Sequence, residues 1–367
     1  MSKSIFILFT ILLPSIALHS QWIETLPANI QSEILWSADH EEGNMNDWTL
    51  DQYTFPGGGI FNTGGADVSA MASDIFAHSG SYSAESIITN AWQAQNGPRA
   101  VRLMRWTDTA WDNGGMYFPT ESYYSAYYYF PITYNPNKYQ PWDPGDGGWW
   151  NIFQFKSHDA NGVSQPVWTL NVEHDDVTQE MSIYLYSNEN IPHSNSQTTP
   201  MPIPVGKWVH LEAFYHASTP NVADGQIIIW QDGIEILNVP DVVTTLDDGV
   251  VVWGIGNYTD HIDGDPMPGK ATVYFDDAIV SETAIHPYVS CTTFAVNHWI
   301  GSNNSNWQDP LNWSSGFCPI QCQTVIIPSG ATVQVEPNTY VKIKELTVES
   351  NANLEVPSTT LFIVIDQ

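Results

Sequence analysis

Between about Ser32 and Pro287 apolar residues recur at alternate positions in short runs, and clusters rich in Gly, Pro, Asn and Asp separate those runs. Strand length and β-branched or aromatic composition predict strands at 99–106, 122–130, 149–155, 167–173, 181–186, 208–216, 226–230 and 272–280. The breaks between them include Phe55-Pro-Gly-Gly-Gly, Asn113-Gly-Gly and Asp143-Pro-Gly-Asp-Gly-Gly, while helical periodicity is nearly absent. Eight or more strands imply an all-β domain of two packed antiparallel sheets. Asp232-Gly233, set between Ile227-Ile-Ile-Trp230 and Ile234-Glu-Ile-Leu237, predicts a two-residue hairpin.

After Cys291 the pattern changes. Val325-Ile-Ile-Pro-Ser-Gly-Ala-Thr-Val-Gln-Val335 matches Leu346-Thr-Val-Glu-Ser-Asn-Ala-Asn-Leu-Glu-Val356. Two strand-turn-strand copies at one offset predict rungs of a small solenoid-like β module, an appendage in which chemistry is not expected. At the other end, Lys3 precedes an apolar run from Ile5 to Leu18 and a small Ser20, the layout of a cleaved secretory leader. The expected organisation is therefore a leader over 1–20, a catalytic or carbohydrate-binding domain over 21–290, and a β module over 291–367. A secreted or cell-surface location follows, with no membrane span once the leader is removed.

Charge narrows the partners. Lys and Arg number 10 against 40 Asp and Glu, a formal charge of −30, which excludes the broad basic surface that nucleic acid needs. Trp 16, Tyr 17 and Phe 14 exceed what a core requires and suit a sugar-facing surface. Cys291, Cys318 and Cys322 are confined to the last segment; they allow one disulfide with an odd thiol, or a zinc site completed by His298.

All three arginines lie in Arg99-Ala-Val-Arg102-Leu-Met-Arg105. Alternation puts Arg99 and Arg105 on one face and Arg102 on the other. Either the arginines pair with carboxylates at a sheet edge, or Arg102 or Arg105 meets an anionic sugar. In Trp149-Trp-Asn-Ile-Phe-Gln-Phe-Lys-Ser-His158, alternation groups Trp150, Ile152, Gln154, Lys156 and His158. Gln154, Lys156 and His158 then present an amide, a cation and an imidazole along about 13 Å of strand. Trp150 serves there as a sugar platform or as packing. Tyr127 and His210 stand on candidate outward faces of their strands, and Asn257 with Tyr258 sits beside glycines that permit close approach of a ligand.

The carboxylate pair of a glycoside hydrolase is missing, as are a nucleophile elbow and phosphate-cradling glycines. The remaining residues suit β-elimination at a uronate. A cation or amide neutralises the carboxylate, a base takes the C5 proton, and an acid protonates the departing O4. Gln154 with an arginine fits the first task, Lys156 with a depressed pKa fits the base, and a tyrosine fits acid or base. A non-catalytic carbohydrate-binding or adhesion protein is the alternative. Glu41 and Asp276, expected on adjacent terminal strands, are candidate ligands for a structural calcium ion, or acidic surface loops.

Glu41-Glu-Gly43, the Tyr123 to Pro131 strand, Trp150-Asn-Ile-Phe-Gln-Phe-Lys156, Gly206-Lys-Trp-Val-His-Leu211, Asp224 to Gly233 and Tyr274-Phe-Asp-Asp277 follow one another in a recognisable order. Over about Ser32 to Pro287 the chain resembles the concanavalin-A-like jelly-roll polysaccharide lyases, nearest the marine bacterial ulvan lyases. Its last segment resembles modules of secreted Bacteroidetes surface proteins. The resemblance implies a jelly-roll sandwich and endolytic cleavage of an anionic, sulfated polysaccharide between rhamnose 3-sulfate and a uronic acid. It carries over Lys156 first, with Gln154, an arginine, and Tyr258 or Tyr274 in support.

Overall fold

The computed structural model describes residues 21–49, 57–91, 97–106, 118–132, 134, 149–174, 180–197, 201–260, 270–285, 295–315, 318–319, 323–337 and 339–365. The leader, Cys291 and Cys322 lie outside the described residues. Two short helices, α1 (Gln21–Thr25) and α2 (Ala28–Gln31), precede the strands. These are β1 (Ile34–Ala38), β2 (Gly58–Thr63), β3 (Val68–Ser73), β4 (Ser83–Thr89), β5 (Arg99–Arg105), β6 (Glu121–Tyr129), β7 (Trp150–His158) and β8 (Ser164–His174). There follow β9 (Met181–Ser187), β10 (Ser194–Ser196), β11 (Trp208–His216), β12 (Gly225–Gln231), β13 (Ile234–Val242), β14 (Val252–Thr259) and β15 (Lys270–Ser281).

They form two antiparallel sheets packed as a jelly-roll sandwich. The back sheet runs β13-β12-β11-β6-β15-β4-β3, with β1 also on β15; the front sheet runs β10-β9-β8-β7-β14-β5-β2. Each strand contributes alternate side chains to one continuous core, among them Val101, Leu103, Tyr124, Tyr128, Phe153, Phe155, Leu211, Trp253 and Phe275. The expected hairpin forms between β12 and β13. Asp232 and Gly233 both take positive φ, 50° and 76°, which matches a primed turn and the twist of its strands.

The pairing is irregular where it matters for function. Pairing of β7 slips between Asn151 and Phe153 and again between Phe155 and Lys156 against β8, and β14 slips between Ile255 and Tyr258 against β7. An unpaired extra residue lets Ile152 and Phe153 both enter the core and restores outward phase at Gln154. Trp150 therefore does not share the Gln154 face, contrary to the simple period-two reading.

The module beyond the sandwich contains β16 (Val296–His298), β17 (Thr324–Ile327), β18 (Thr332–Gln334), β19 (Tyr340–Ile343), β20 (Glu345–Val348), β21 (Asn353–Glu355) and β22 (Leu361–Val364). Pairs β17–β20, β18–β21 and β19–β22 are parallel and in register, so the sequence repeat stacks rung on rung. Trp299, Trp307, Trp313, Val325 and Val333 fill a second core. Lys207 of the sandwich pairs with Glu336 of the module at 2.7 Å.

Candidate active site

On the front sheet, core-facing residues alternate with residues that turn to the outer face. Across the strands, one outward row reads Thr63, Ala100, Tyr258, Asn151, Asn171 and Tyr184; the next reads Gly59, Met104, Gly254, Gln154, Thr169 and Tyr186. Arg102 stands between Phe61 and Gly256, and Lys156 lies two residues beyond Gln154. From β2 to β9 this floor spans roughly 24 Å at the usual strand spacing, enough for several sugar units. Glycine keeps its centre low: a Cβ on Gly256 would come 2.4 Å from the Val101 carbonyl oxygen.

Arg102 joins the two groups best suited to proton transfer. Its guanidinium lies 5.2 Å from the centre of the Tyr258 ring, which Trp149 meets edge-on at 4.4 Å. Two of its N–H groups are held at the strand edge, Nε by the Phe61 carbonyl at 3.4 Å and Nη2 by Thr63 Oγ1 at 2.7 Å. Burial, and then the Arg102 charge, push the Lys156 amine down to about 8. Burial raises the Tyr258 phenol, which Arg102 partly offsets and Asp260 reinforces, so Tyr258 holds its proton at neutral pH. The floor thus offers a near-neutral amine and a protonated phenol on either side of a fixed guanidinium.

Polar groups that the sequence reading passed over complete it. Asn151 Nδ2 donates to Asn171 Oδ1 at 3.2 Å, and Asn171 Nδ2 to Thr169 Oγ1 at 3.4 Å. Burial pushes the Tyr184 phenol up to about 12. The signal was available: in Ser164–His174 the polar Thr169, Asn171 and Glu173 alternate with Trp168, Leu170 and Val172, which is the mark of a strand with one wet face.

Not every expected residue is here. Arg105 points into the sandwich, 4% exposed and 5.2 Å from the Trp36 ring, and Arg99 pairs with Asp67 at 2.8 Å. Trp150 and Asn257 lie between the sheets, where Trp150 Nε1 donates to Asn257 Oδ1 at 3.0 Å. His158 ends β7 bound through Nδ1 to the Asp248 carboxylate. Tyr127, His210 and Tyr274 belong to β6, β11 and β15, on the outer face of the back sheet. There Tyr127 stacks on His78 at 3.4 Å, Trp22 of α1 packs against Tyr127 and His210, and the Tyr274 hydroxyl donates to Glu85 at 2.8 Å. Alternation assigns a residue to a face but not a strand to a sheet, so these three were expected on the wrong side.

The calcium candidates do not fit a cation as they stand. Glu41 accepts from the Ser81 and Tyr82 amides at 2.9 Å, and Asp276 accepts from the His78 and Asp277 amides at 2.8 and 2.9 Å. Burial and the neighbouring Asp277 raise the Asp276 pKa, which favours a proton there. The two carboxylates clamp the 78–82 turn, with N–H donors on the oxygens a calcium ion would use. Of the cysteines, Cys318 is described and carries no bridge; burial pushes its thiol up to about 12.

No curated protein matches the chain. Among solved structures, the endo-β-1,4-glucuronan lyase of Trichoderma reesei is similar at 17% identity, covering 68% of this chain and 96% of that one, with a TM-score of 0.47. A marine alginate lyase from Aplysia kurodai is similar at 12% identity, covering 67% and 98%, with a TM-score of 0.40. The alginate lyase Aly36B is similar at 14% identity, covering 68% and 98%, with a TM-score of 0.39. Residues 110–278, the stretch that includes Gln154, Lys156 and Tyr258, match the family model described as polysaccharide lyase.

Proposed function

We propose that the chain is a secreted lyase that cleaves a uronate-containing, ulvan-like polysaccharide by β-elimination on the outer face of the front sheet. The observation behind this is the Lys156 amine, pushed down to about 8 beside Arg102 in a protein otherwise strongly acidic. Arg102 and the Gln154 amide neutralise the uronate carboxylate, which acidifies the C5 proton. Lys156 accepts that proton, the C4–C5 double bond forms as the C4–O4 bond breaks, and Tyr258 protonates the departing oxygen. The carboxylate takes Arg102, the standing cation of the floor, while the deprotonated form of Lys156 does the chemistry. Any sulfate on a neighbouring sugar then has to project away from them.

Incubation with ulvan, glucuronan and alginate, following absorbance of the unsaturated product, tests this. Product from ulvan is expected. Product from only the other two polymers would overturn the ulvan reading and keep the lyase; none from any would overturn the uronate chemistry. The pH profile follows from the amine: Lys156 must lose its proton to act as base, so kcat/KM is expected to rise with pH and level off above about 8. Arg102→Gln should move that midpoint upward, since it removes the charge that helps hold the amine low.

A further inference from the structure

At the junction of the sandwich and the C-terminal module, well apart from the front-sheet floor, lies a cavity of about 380 Å³. That is within the range of small-ligand sites, roughly 300–1,000 Å³. Trp208 of β11, Gln231 of β12 and Asp232 of the hairpin turn line it from one side; Trp307, Gln308 and Glu336 line it from the other.

Gln231 is the informative member. It is 0% exposed, its Nε2 donates to the Pro202 carbonyl at 2.8 Å, and its Oε1 accepts no hydrogen bond among the described residues. A buried acceptor without a donor is costly, and a ligand that brings a donor removes the cost. The other polar groups point to the same kind of ligand. Asp232 Oδ1 takes the His210 amide at 2.8 Å, and Glu336 takes Asn306 and Lys207 at 2.8 and 2.7 Å, so Lys207 is already matched by a carboxylate. The Asp232 and Glu336 carboxylates offer acceptors to hydroxyl groups and repel an anion. Trp208, half-buried, supplies an indole that packs on the C–H face of a pyranose.

We propose that this cavity is a second glycan site, selective for a neutral, hydroxyl-rich sugar unit and built jointly by the sandwich and the module. It holds neutral residues of a polymer while the front sheet handles uronates, and it would bind such sugars whether or not the lyase assignment holds.

The test titrates the full chain with glucose, galactose, xylose, rhamnose and glucuronate, read by tryptophan fluorescence and by calorimetry. Saturable binding of at least one neutral sugar, and none of glucuronate, is expected. Gln231→Leu should weaken it by about tenfold and Gln308→Ala by at least about threefold, the range for lost hydrogen bonds, while turnover of short uronate oligomers stays unchanged. Gln308 is part-buried in the module, where its Oε1 accepts from the Glu336 amide at 2.9 Å and its Nε2 donates to Thr339 at 3.3 Å, so its variant reports on the module wall of the cavity even if Gln231→Leu fails to fold. Absence of saturable binding by every neutral sugar, preference for glucuronate, or binding unaltered in correctly folded variants would each overturn the proposal.

Discussion

Replacement of Lys156 by alanine is expected to lower kcat/KM on the uronate polymer by about 10²–10⁴-fold, the usual contribution of a positioned general base. The side chain is half-buried and lies on the wet face of β7, outside the interlayer core, so the variant should keep its melting transition. Loss of an ammonium from a partly desolvated place can even favour the fold. Lys156→Arg separates charge from proton transfer. The guanidinium keeps a cation at the site but cannot give up its proton near pH 8, so a base role predicts that arginine fails as badly as alanine. Near-normal turnover in either variant would remove Lys156 from the mechanism and leave a tyrosine as the base.

Trp253→Ala should produce the largest loss of stability, about 3–5 kcal/mol by the known cost of truncating a buried aromatic. Trp253 is fully buried and meets Trp36, Trp48, Tyr124 and Phe153 with ring centres 5.7–6.2 Å apart. Its Nε1 has no hydrogen-bond partner among the described residues, so the cost is packing rather than polar. Phenylalanine, which fills most of the space and removes that orphaned N–H, should retain most of the stability. Urea titration reads both: a lower midpoint with unchanged slope is expected for alanine, and an unfolding free energy within about 1 kcal/mol of wild type would contradict the packing account. Because β14 also presents Gly254, Gly256 and Tyr258, Trp253→Ala should lose activity before it unfolds globally.

Much of this was legible beforehand for a definable reason. Period-two alternation sorted Tyr124 and Tyr128 from Tyr123, Tyr127 and Tyr129, and Leu211 from His210, just as the core divides them. Composition singled out the arginine strand, and alternation already separated Arg102 from Arg99 and Arg105. The strands at Gly58–Thr63, Val68–Ser73 and Ser83–Thr89 were not anticipated: small residues such as Gly, Ala and Ser carry little strand propensity, and their pairing partners supply what the local sequence lacks.

By itself, then, the sequence determined the all-β class, the wet and dry sides of most strands, the Asp232-Gly233 turn and the candidate chemistry of Gln154, Lys156, Arg102 and Tyr258. These are local properties, set by the two-residue period of a strand and by side-chain type. Only the tertiary structure decided that β5, β7 and β14 lie together in the front sheet while Tyr127, His210 and Tyr274 belong to the other. Only it showed that a bulge at Ile152 separates Trp150 from the Gln154 face, and that the alternation of β14 sends Asn257 inward with Trp253 and Ile255. Strand order and register arise from contacts between residues far apart in the chain, and a single slipped residue exchanges one face for the other.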